Sequence, residues 1–250
     1  MFSNNDAVKL FNEMAQINNS IDDNCYYSSG RPVKIDPKII VDDVDSKLKL
    51  MKDDVLLDIG CGTGVITIPL SYKVKEVYAL DGGTNVIKKL KENSIKNKVF
   101  NIKMINLPFN KKKFQDNFFD KILMYGVIHY FDGMSEIENC LKELIRICKP
   151  GGTILVAEIP EKNAIKKVKN NKLSQEEKEL IKNFELNRSE YDFFMNKINI
   201  EKYNFMYQEL NGEELLGICK KFDCHADILK QDSRQPFSIT RRDLLIKLNK

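Results

Sequence analysis

Asp58 stands two residues before the first of three glycines spaced Gly60-x-Gly62-x-Gly64, and its carboxylate is the first group in this chain whose position suggests chemistry. Val55, Leu56, Leu57 and Ile59 surround it with apolar side chains and read as a short, buried parallel strand. The glycines predict a tight turn whose backbone can come close to a ligand. The residues after Gly64 are expected to open a helix, so that its first N–H groups and positive dipole end face the loop. This combination is a cofactor cradle. A nicotinamide or flavin site would read G-x-G-x-x-G, but position 65 is Val; a phosphate loop would need Gly-Lys-Ser/Thr, which is absent. A carboxylate at position 58 would repel a pyrophosphate and can accept a hydrogen bond from an ammonium group. Asp81 closes a second apolar stretch, Val77-Tyr78-Ala79-Leu80, where a carboxylate can grip a ribose diol.

Holding these groups requires an alternation of strands and helices, the signature of a doubly wound parallel sheet. The pattern predicts strands over 55–59, 76–80, 99–104, 119–124 and 153–158, and helices over 64–72, 84–93 and 135–148. Pro69 is compatible with the first of these helices only in its early turns. Ser135 and Glu138 form a capping-box pattern ahead of an apolar face of Ile137, Cys140, Leu141, Leu144, Ile145 and Cys148. Upstream, Val8, Leu10, Phe11 and Met14 suggest a short amphipathic helix. Asp36-Pro37 opens another whose inward face is Ile40, Val44 and Leu48. Downstream, Ser174 and Glu177 cap a helix, and an aromatic tract runs from Tyr191 to Tyr207. Asn211 and Glu214 cap a further helix before strands near 225–230 and 239–248.

Asp58-Ile59-Gly60-Cys61-Gly62-Thr63-Gly64 resembles the first motif of the class I S-adenosylmethionine-dependent methyltransferases. Asp81 sits where that family places its ribose-binding acid. Residues 118–123 resemble its fourth strand, and residues 144–156, with Pro150-Gly151-Gly152, resemble its helix, turn and fifth strand. The matching stretch is 55–160. The resemblance implies an α/β fold with a mostly parallel, doubly wound seven-stranded sheet, its last strand antiparallel. It implies one domain over 1–250: a helical lid at 1–50, a cofactor core at 51–160, an insertion at 161–210 that shapes the acceptor pocket, and the rest of the sheet at 211–250. The cofactor implied is S-adenosyl-L-methionine, with S-adenosyl-L-homocysteine as product. Asp58, Gly60, Cys61, Gly62 and Gly64 would hold its methionine part and Asp81 with Gly82 its ribose. Asn106 and Leu107 would hold its adenine, although the family's usual Asp is missing there, and Tyr125 joins the cofactor set. Tyr26 and Tyr27 would be lid residues against the substrate, and Arg31 an anion holder. His129 would serve as general base or acceptor partner, Glu158 as a polar group on the acceptor side, and Arg234 as a contact for a phosphate or carboxylate.

Composition narrows the partners. The chain has 250 residues, 42% hydrophobic and 30% charged, with a net charge of +4 spread among its lysines. That charge reads as a solvated surface rather than a nucleic-acid footprint. Six cysteines without a C-x-x-C pair, and only two histidines, argue against a zinc site and for reduced thiols in a cytoplasmic protein. No signal-peptide pattern opens the chain, and no apolar run approaches the roughly 18–20 residues of a membrane span. The expected activity is methylation of an oxygen or nitrogen on a small polar metabolite, with a phosphorylated, nucleotide-activated or sugar precursor of a bacterial surface polysaccharide as one form, by a monomer or homodimer. An RNA or protein methyltransferase is the alternative; the Asn/Asp-Pro-Pro-Tyr tetrad and the Pro-Cys nucleophile that would favour it are absent. A non-catalytic scaffold on the same fold is a further alternative, opposed by the retained carboxylates. A nicotinamide oxidoreductase is disfavoured by loop spacing and by Asp58.

Overall fold

β1 (Val55–Ile59) is apolar except for Asp58, and Leu56 and Leu57 are wholly buried on its opposite faces. A strand buried on both faces belongs in the middle of a parallel sheet. In the computed structural model, which describes residues 5–17, 36–170, 172–179, 208–235 and 237–250, β1 pairs in parallel with β2 (Glu76–Asp81) and β4 (Phe119–Tyr125). β3 (Ile102–Asn106) extends the sheet beyond β2, and β5 (Cys148–Pro160) extends it beyond β4. β7 (Arg241–Leu248) inserts antiparallel between β5 and β6 (Cys224–Lys230), giving the order β3-β2-β1-β4-β5-β7-β6. This is the expected doubly wound α/β sheet with its antiparallel last strand.

Helices cover both faces. α2 (Pro37–Leu48), α3 (Thr67–Ser71) and α4 (Thr84–Lys96) bury Ile40, Leu48, Leu70 and Leu90 against Leu56, Val77, Ala79 and Leu155. α5 (Gly133–Ile147) and α7 (Gly212–Cys219) bury Ile137, Leu141, Leu144, Leu215 and Ile218 against Leu57, Ile122 and Ile154. The cap of α2 forms as expected, Asp36 accepting from the Lys38 N–H at 2.9 Å; at α7 Asn211 caps by accepting from the Glu213 N–H at 2.9 Å, a bond in which Glu214 has no part. α1 (Asn5–Ile17) lies over the β2–α4 turn, where Asn12 Oδ1 accepts the Asn85 N–H at 2.7 Å and so satisfies a donor in the first turn of α4. α6 (Lys162–Lys169) follows β5 and is capped by Glu161.

Several boundaries differ from expectation. α5 begins at Gly133, and Glu136 turns back to accept the Asp132 N–H at 2.8 Å. The Ser135–Glu138 box is therefore not the cap, and Glu138 pairs with Lys221 instead, at 2.6 Å. α3 is only five residues long, with Pro69 in its first turn, where no intrahelical N–H is lost. β5 includes Pro150-Gly151-Gly152, but the expected turn shows as a bulge: Phe119 pairs with Cys148 and Lys121 with Thr153, and Gly151 has a φ of +76°. β3 starts three residues later than the pattern suggests, because pairing with β2 sets its register and brings Asn106 level with Asp81. Tyr26, Tyr27, Arg31 and the aromatic tract 191–207 lie outside the described residues. No described helix is long and apolar enough to cross a membrane, and the described residues hold no metal-binding group of three or more ligands. The five described cysteines are free thiols.

Gly64 marks where α3 is pressed onto α4. Its φ is +96°, and a Cβ there would lie 2.5 Å from Leu90 Cδ1 and 2.9 Å from Ile68 Cδ1. Gly64→Ala should therefore lose on the order of 1–3 kcal/mol from backbone strain and overpacking. Urea unfolding would show this as a lower midpoint with an unchanged slope; an unchanged midpoint would contradict the packing role.

Candidate active site

Beyond Ile59 the chain must leave a buried strand, pass close to β2 and re-enter the core through α3. The Gly60 and Cys61 N–H groups both donate to Leu80 O, at 2.8 and 3.2 Å, and lash the loop to β2. Gly60 (φ +72°) has no room for a side chain, since a Cβ would sit 2.3 Å from Val127 Cγ2. At Gly62 (φ +54°) a Cβ would meet nothing within 4 Å, so its glycine answers to the backbone conformation alone. The loop thus presents bare main chain to a cavity of ≈ 200 Å³ at the carboxyl ends of β1, β2, β4 and β5. Ligands in open α/β sheets bind at this point, where the strand order reverses.

Three carboxylates stand in its wall, Asp58, Asp81 and Glu158, the first two beside the glycine loop. Asp58 is 3% exposed and accepts a 2.6 Å bond from Oγ1 of Thr67, the first residue of the next helix. Burial pushes its carboxyl up to about 7; the Thr67 bond pulls the other way, and the Asp81 charge adds to the rise. Asp81 accepts the Gly83 N–H at 2.8 Å and the Gly62 N–H at 3.3 Å. Burial raises its carboxyl too, against these two bonds. No Lys or Arg lines the cavity among the described residues. Both acids would be relieved by a ligand that brings a cation or hydrogen-bond donors.

Of the sequence-predicted residues, Asp58, Gly60, Cys61, Gly62, Asp81, Gly82, Tyr125 and Glu158 come together on this wall. Gly64 is behind it, in the α3–α4 contact. Asn106 and Leu107 are exposed and off the wall. Asn106 accepts from Thr84 Oγ1 at 2.9 Å and donates to Asp81 O at 3.2 Å, which makes it a tie between strand ends; Pro108 and Phe109 occupy the wall instead. His129 is 4% exposed within the 3₁₀ turn Ile128–Tyr130, its ring 4.3 Å from that of Tyr130. The segment gives Val127, Tyr130 and Phe131 to the cavity, and His129 is not among the residues that line it. Arg234 does not reach the cleft. Its guanidinium is taken by Asp232, two residues earlier, through bonds of 2.9 and 2.6 Å, and its side chain is 62% exposed.

The pattern reading missed Thr67, whose hydroxyl is the hydrogen-bond partner of Asp58. A hydroxyl in the apolar run Ile66–Ile68 was its only signal. It also missed Val8 and Phe11 of α1 as wall residues, having read them only as a helix face.

The chain matches the family described as a methyltransferase domain over residues 50–214. It is 34% identical over 99 residues to the "Probable cobalt-precorrin-6B C(15)-methyltransferase (decarboxylating)" of Methanococcus vannielii, covering 39% of this chain and 50% of that protein. It is 28% identical over 120 residues to the 23S rRNA (uracil(1939)-C(5))-methyltransferase RlmD of Haemophilus influenzae, covering 45% of this chain and 27% of that protein. The chain thus spans half or less of the length of these curated relatives. Among solved structures, the magnesium protoporphyrin IX methyltransferase of Synechocystis with bound SAH superposes at a TM-score of 0.63 over 99% of this chain and 97% of that one, at 11% identity, a likeness of fold.

The raised Asp58 carboxyl has a measurable consequence. The native state holds the proton more tightly than the unfolded chain, so Asp58 costs stability increasingly as pH rises from about 4 to about 7. Asp58→Asn removes that cost. In the absence of ligand the variant should gain on the native protein by roughly 2–3 kcal/mol between pH 5 and pH 8. Paired denaturant titrations at the two pH values would read this, and a difference that stays constant with pH would refute it.

Proposed function

This chain belongs to the methyltransferase-domain family, and we propose from that premise that it transfers a methyl group from S-adenosylmethionine to a small molecule held in the cavity. The observation that carries the reading is the pair of carboxylates, buried Asp58 and part-buried Asp81, either side of a bare glycine loop at the strand-order reversal. The residues present fit such a donor. Asp58 suits an ammonium group, and Asp81 has acceptor capacity for a ribose diol. Val86, Pro108 and Phe109 give an apolar wall for a flat base. When bound, the donor supplies a methyl group activated on a sulfonium and is left as S-adenosylhomocysteine.

The protein's part is to bind, align and exclude water. Asp58 and Asp81 come from β1 and β2, while Tyr125 and Glu158 come from the adjoining β4 and β5, so donor and acceptor sides lie next to each other across the β1–β4 pair. Holding two reactants in line can contribute up to about 7–11 kcal/mol. Phe11, Tyr130 and Phe131 line the cavity with rings that displace water. The acidic wall favours a cationic donor. It also disfavours a phosphodiester backbone, which supports a small molecule over RNA as acceptor. This reading assigns His129 a packing role and no proton transfer.

Incubation with methyl-tritiated S-adenosylmethionine and cell extract separated into small molecules, RNA and protein tests the acceptor class. Label should enter the small-molecule fraction, and Asp81→Ala should lower the yield at least tenfold. Label confined to RNA or protein would contradict the assignment.

A further inference from the structure

The amino ends of β1, β2 and β3 lie at the edge of the sheet opposite the cavity. These strands are parallel neighbours, about 4.8 Å apart, so the turns that lead into them sit side by side. Side chains lash the three turns together. Lys52 Nζ donates to Tyr72 O, the Tyr72 hydroxyl donates to Asn97 O at 2.8 Å, and Asn101 Nδ2 donates to Ser71 O at 2.9 Å. The three turns therefore form one surface. Each raises apolar side chains into solvent: Phe100 is 86% exposed, Met51 62%, Ile95 at the end of α4 61%, and Tyr72 54%. Among the described residues Leu107 is the one other exposed large hydrophobic residue. Single exposed apolar side chains are ordinary, but a cluster on one edge marks an interaction site.

Lysines stand among these apolar groups. Lys52, Lys75, Lys96 and Lys98 are all exposed on the same turns. The neighbouring acids are mostly taken up. Asp45 pairs with Lys73 at 2.9 Å and Glu76 with Lys103 at 2.8 Å, while Asp54 is buried and accepts the Met51 N–H at 2.7 Å. Asp53 is the exposed acid that remains on these turns. The edge is therefore apolar at its tips and positive around them. Lysines suit the carboxyl end of α4 whatever they face, but that helix end gives no reason for a phenylalanine almost wholly in water.

We propose that this edge docks on an anionic lipid surface, with Phe100, Ile95, Met51 and Tyr72 entering the headgroup layer and the lysines meeting lipid phosphates. Shape favours lipid over an acidic protein. The apolar groups stand up from separate turns, and a fluid interface takes protruding side chains to a shallow depth, whereas a helical peptide is gripped in a groove. Charge favours an anionic leaflet, which attracts each lysine close to it. The contact is peripheral, and the cavity, at the other end of the strands, keeps facing water. This docking surface is separate from the candidate active site and stands whatever reaction occurs there.

The chain contains no tryptophan, so Phe100→Trp in the full chain supplies a single reporter. Its emission should shift to the blue on addition of vesicles made of phosphatidylcholine and phosphatidylglycerol in equal parts, and stay unchanged with phosphatidylcholine alone. Lys112→Trp, beyond the carboxyl end of β3, should respond to neither. Co-sedimentation with the mixed vesicles should weaken roughly tenfold when Phe100→Ser and Ile95→Ser are combined, and comparably for Lys75→Glu with Lys96→Glu, at an unchanged melting temperature. Binding that survives the serine pair would reduce the contact to adsorption by lysines and overturn the proposal, as would equal binding to neutral vesicles or none to mixed ones. A Phe100→Trp emission that responds to poly-L-glutamate and not to vesicles would overturn it in favour of an acidic protein partner.

Discussion

Asp58 and Asp81 stand at the carboxyl ends of adjacent parallel strands, the first buried and the second part-buried, with no Lys or Arg lining the cavity among the described residues. Burial makes each charge unfavourable, and the local architecture is arranged to limit that cost. Thr67 reaches back from α3 to Asp58, which places the start of that helix. The Gly62 and Gly83 N–H groups converge on Asp81, which fixes the glycine loop and the turn into α4. Only a loop without side chains at Gly60 and Gly64 can pass between Val127 on one side and Ile68 with Leu90 on the other. The remaining imbalance is what a ligand with positive and hydrogen-bond-donating groups would correct. A cleft that is electrostatically incomplete alone is one shaped for such a ligand.

A second constraint acts on the far side of β4. β7 runs antiparallel beside β5, and its register brings Asp243 beneath the irregularity at Glu158. Lys47 of α2 meets it there, so a helix preceding the sheet and the last strand of the sheet share one buried charge cluster. Breaking one member would strand its partners as uncompensated charges, a loss of about 3–5 kcal/mol in comparable cases. Tyr125, whose hydroxyl donates to Gln235 beside Asp43, and Glu158, whose N–H donates to Asp243, inherit their positions from this cluster, much as Asp58 and Asp81 inherit theirs from the glycine loop. The two halves of the cavity are built independently and meet at β4.

Local signals in the sequence carry the first half well. Asp58, the three glycines and Asp81 lie within 24 residues, and the strand and helix periods around them are clear, so the cradle and the sheet that bears it can be read directly. The second half is dispersed. Glu158, Asp243, Gln235 and Lys47 are joined by contacts 85 to 196 residues apart in the chain, and no spacing rule brings them together. Asn106 and His129 mislead for a related reason. Asn106 ends β3 and His129 follows β4, positions where a polar residue often faces a ligand, but a strand-to-helix tie and a 3₁₀ turn keep both off the cavity wall. Arg234 has an Asp two residues before it, and that short-range pair outcompetes a reach to the cleft. The start of α5 turns on which acid folds back: Glu136 meets the Asp132 N–H, while Lys221, 83 residues away, claims Glu138.

Calorimetric titration of the native protein and of Asp81→Ala with S-adenosylhomocysteine, with NADH as control, tests the central claim most directly. The account predicts micromolar binding of S-adenosylhomocysteine to the native protein, loss of that binding in the variant, and none of NADH to either. A folded native protein that ignores S-adenosylhomocysteine, or a variant that binds it as tightly, would contradict it.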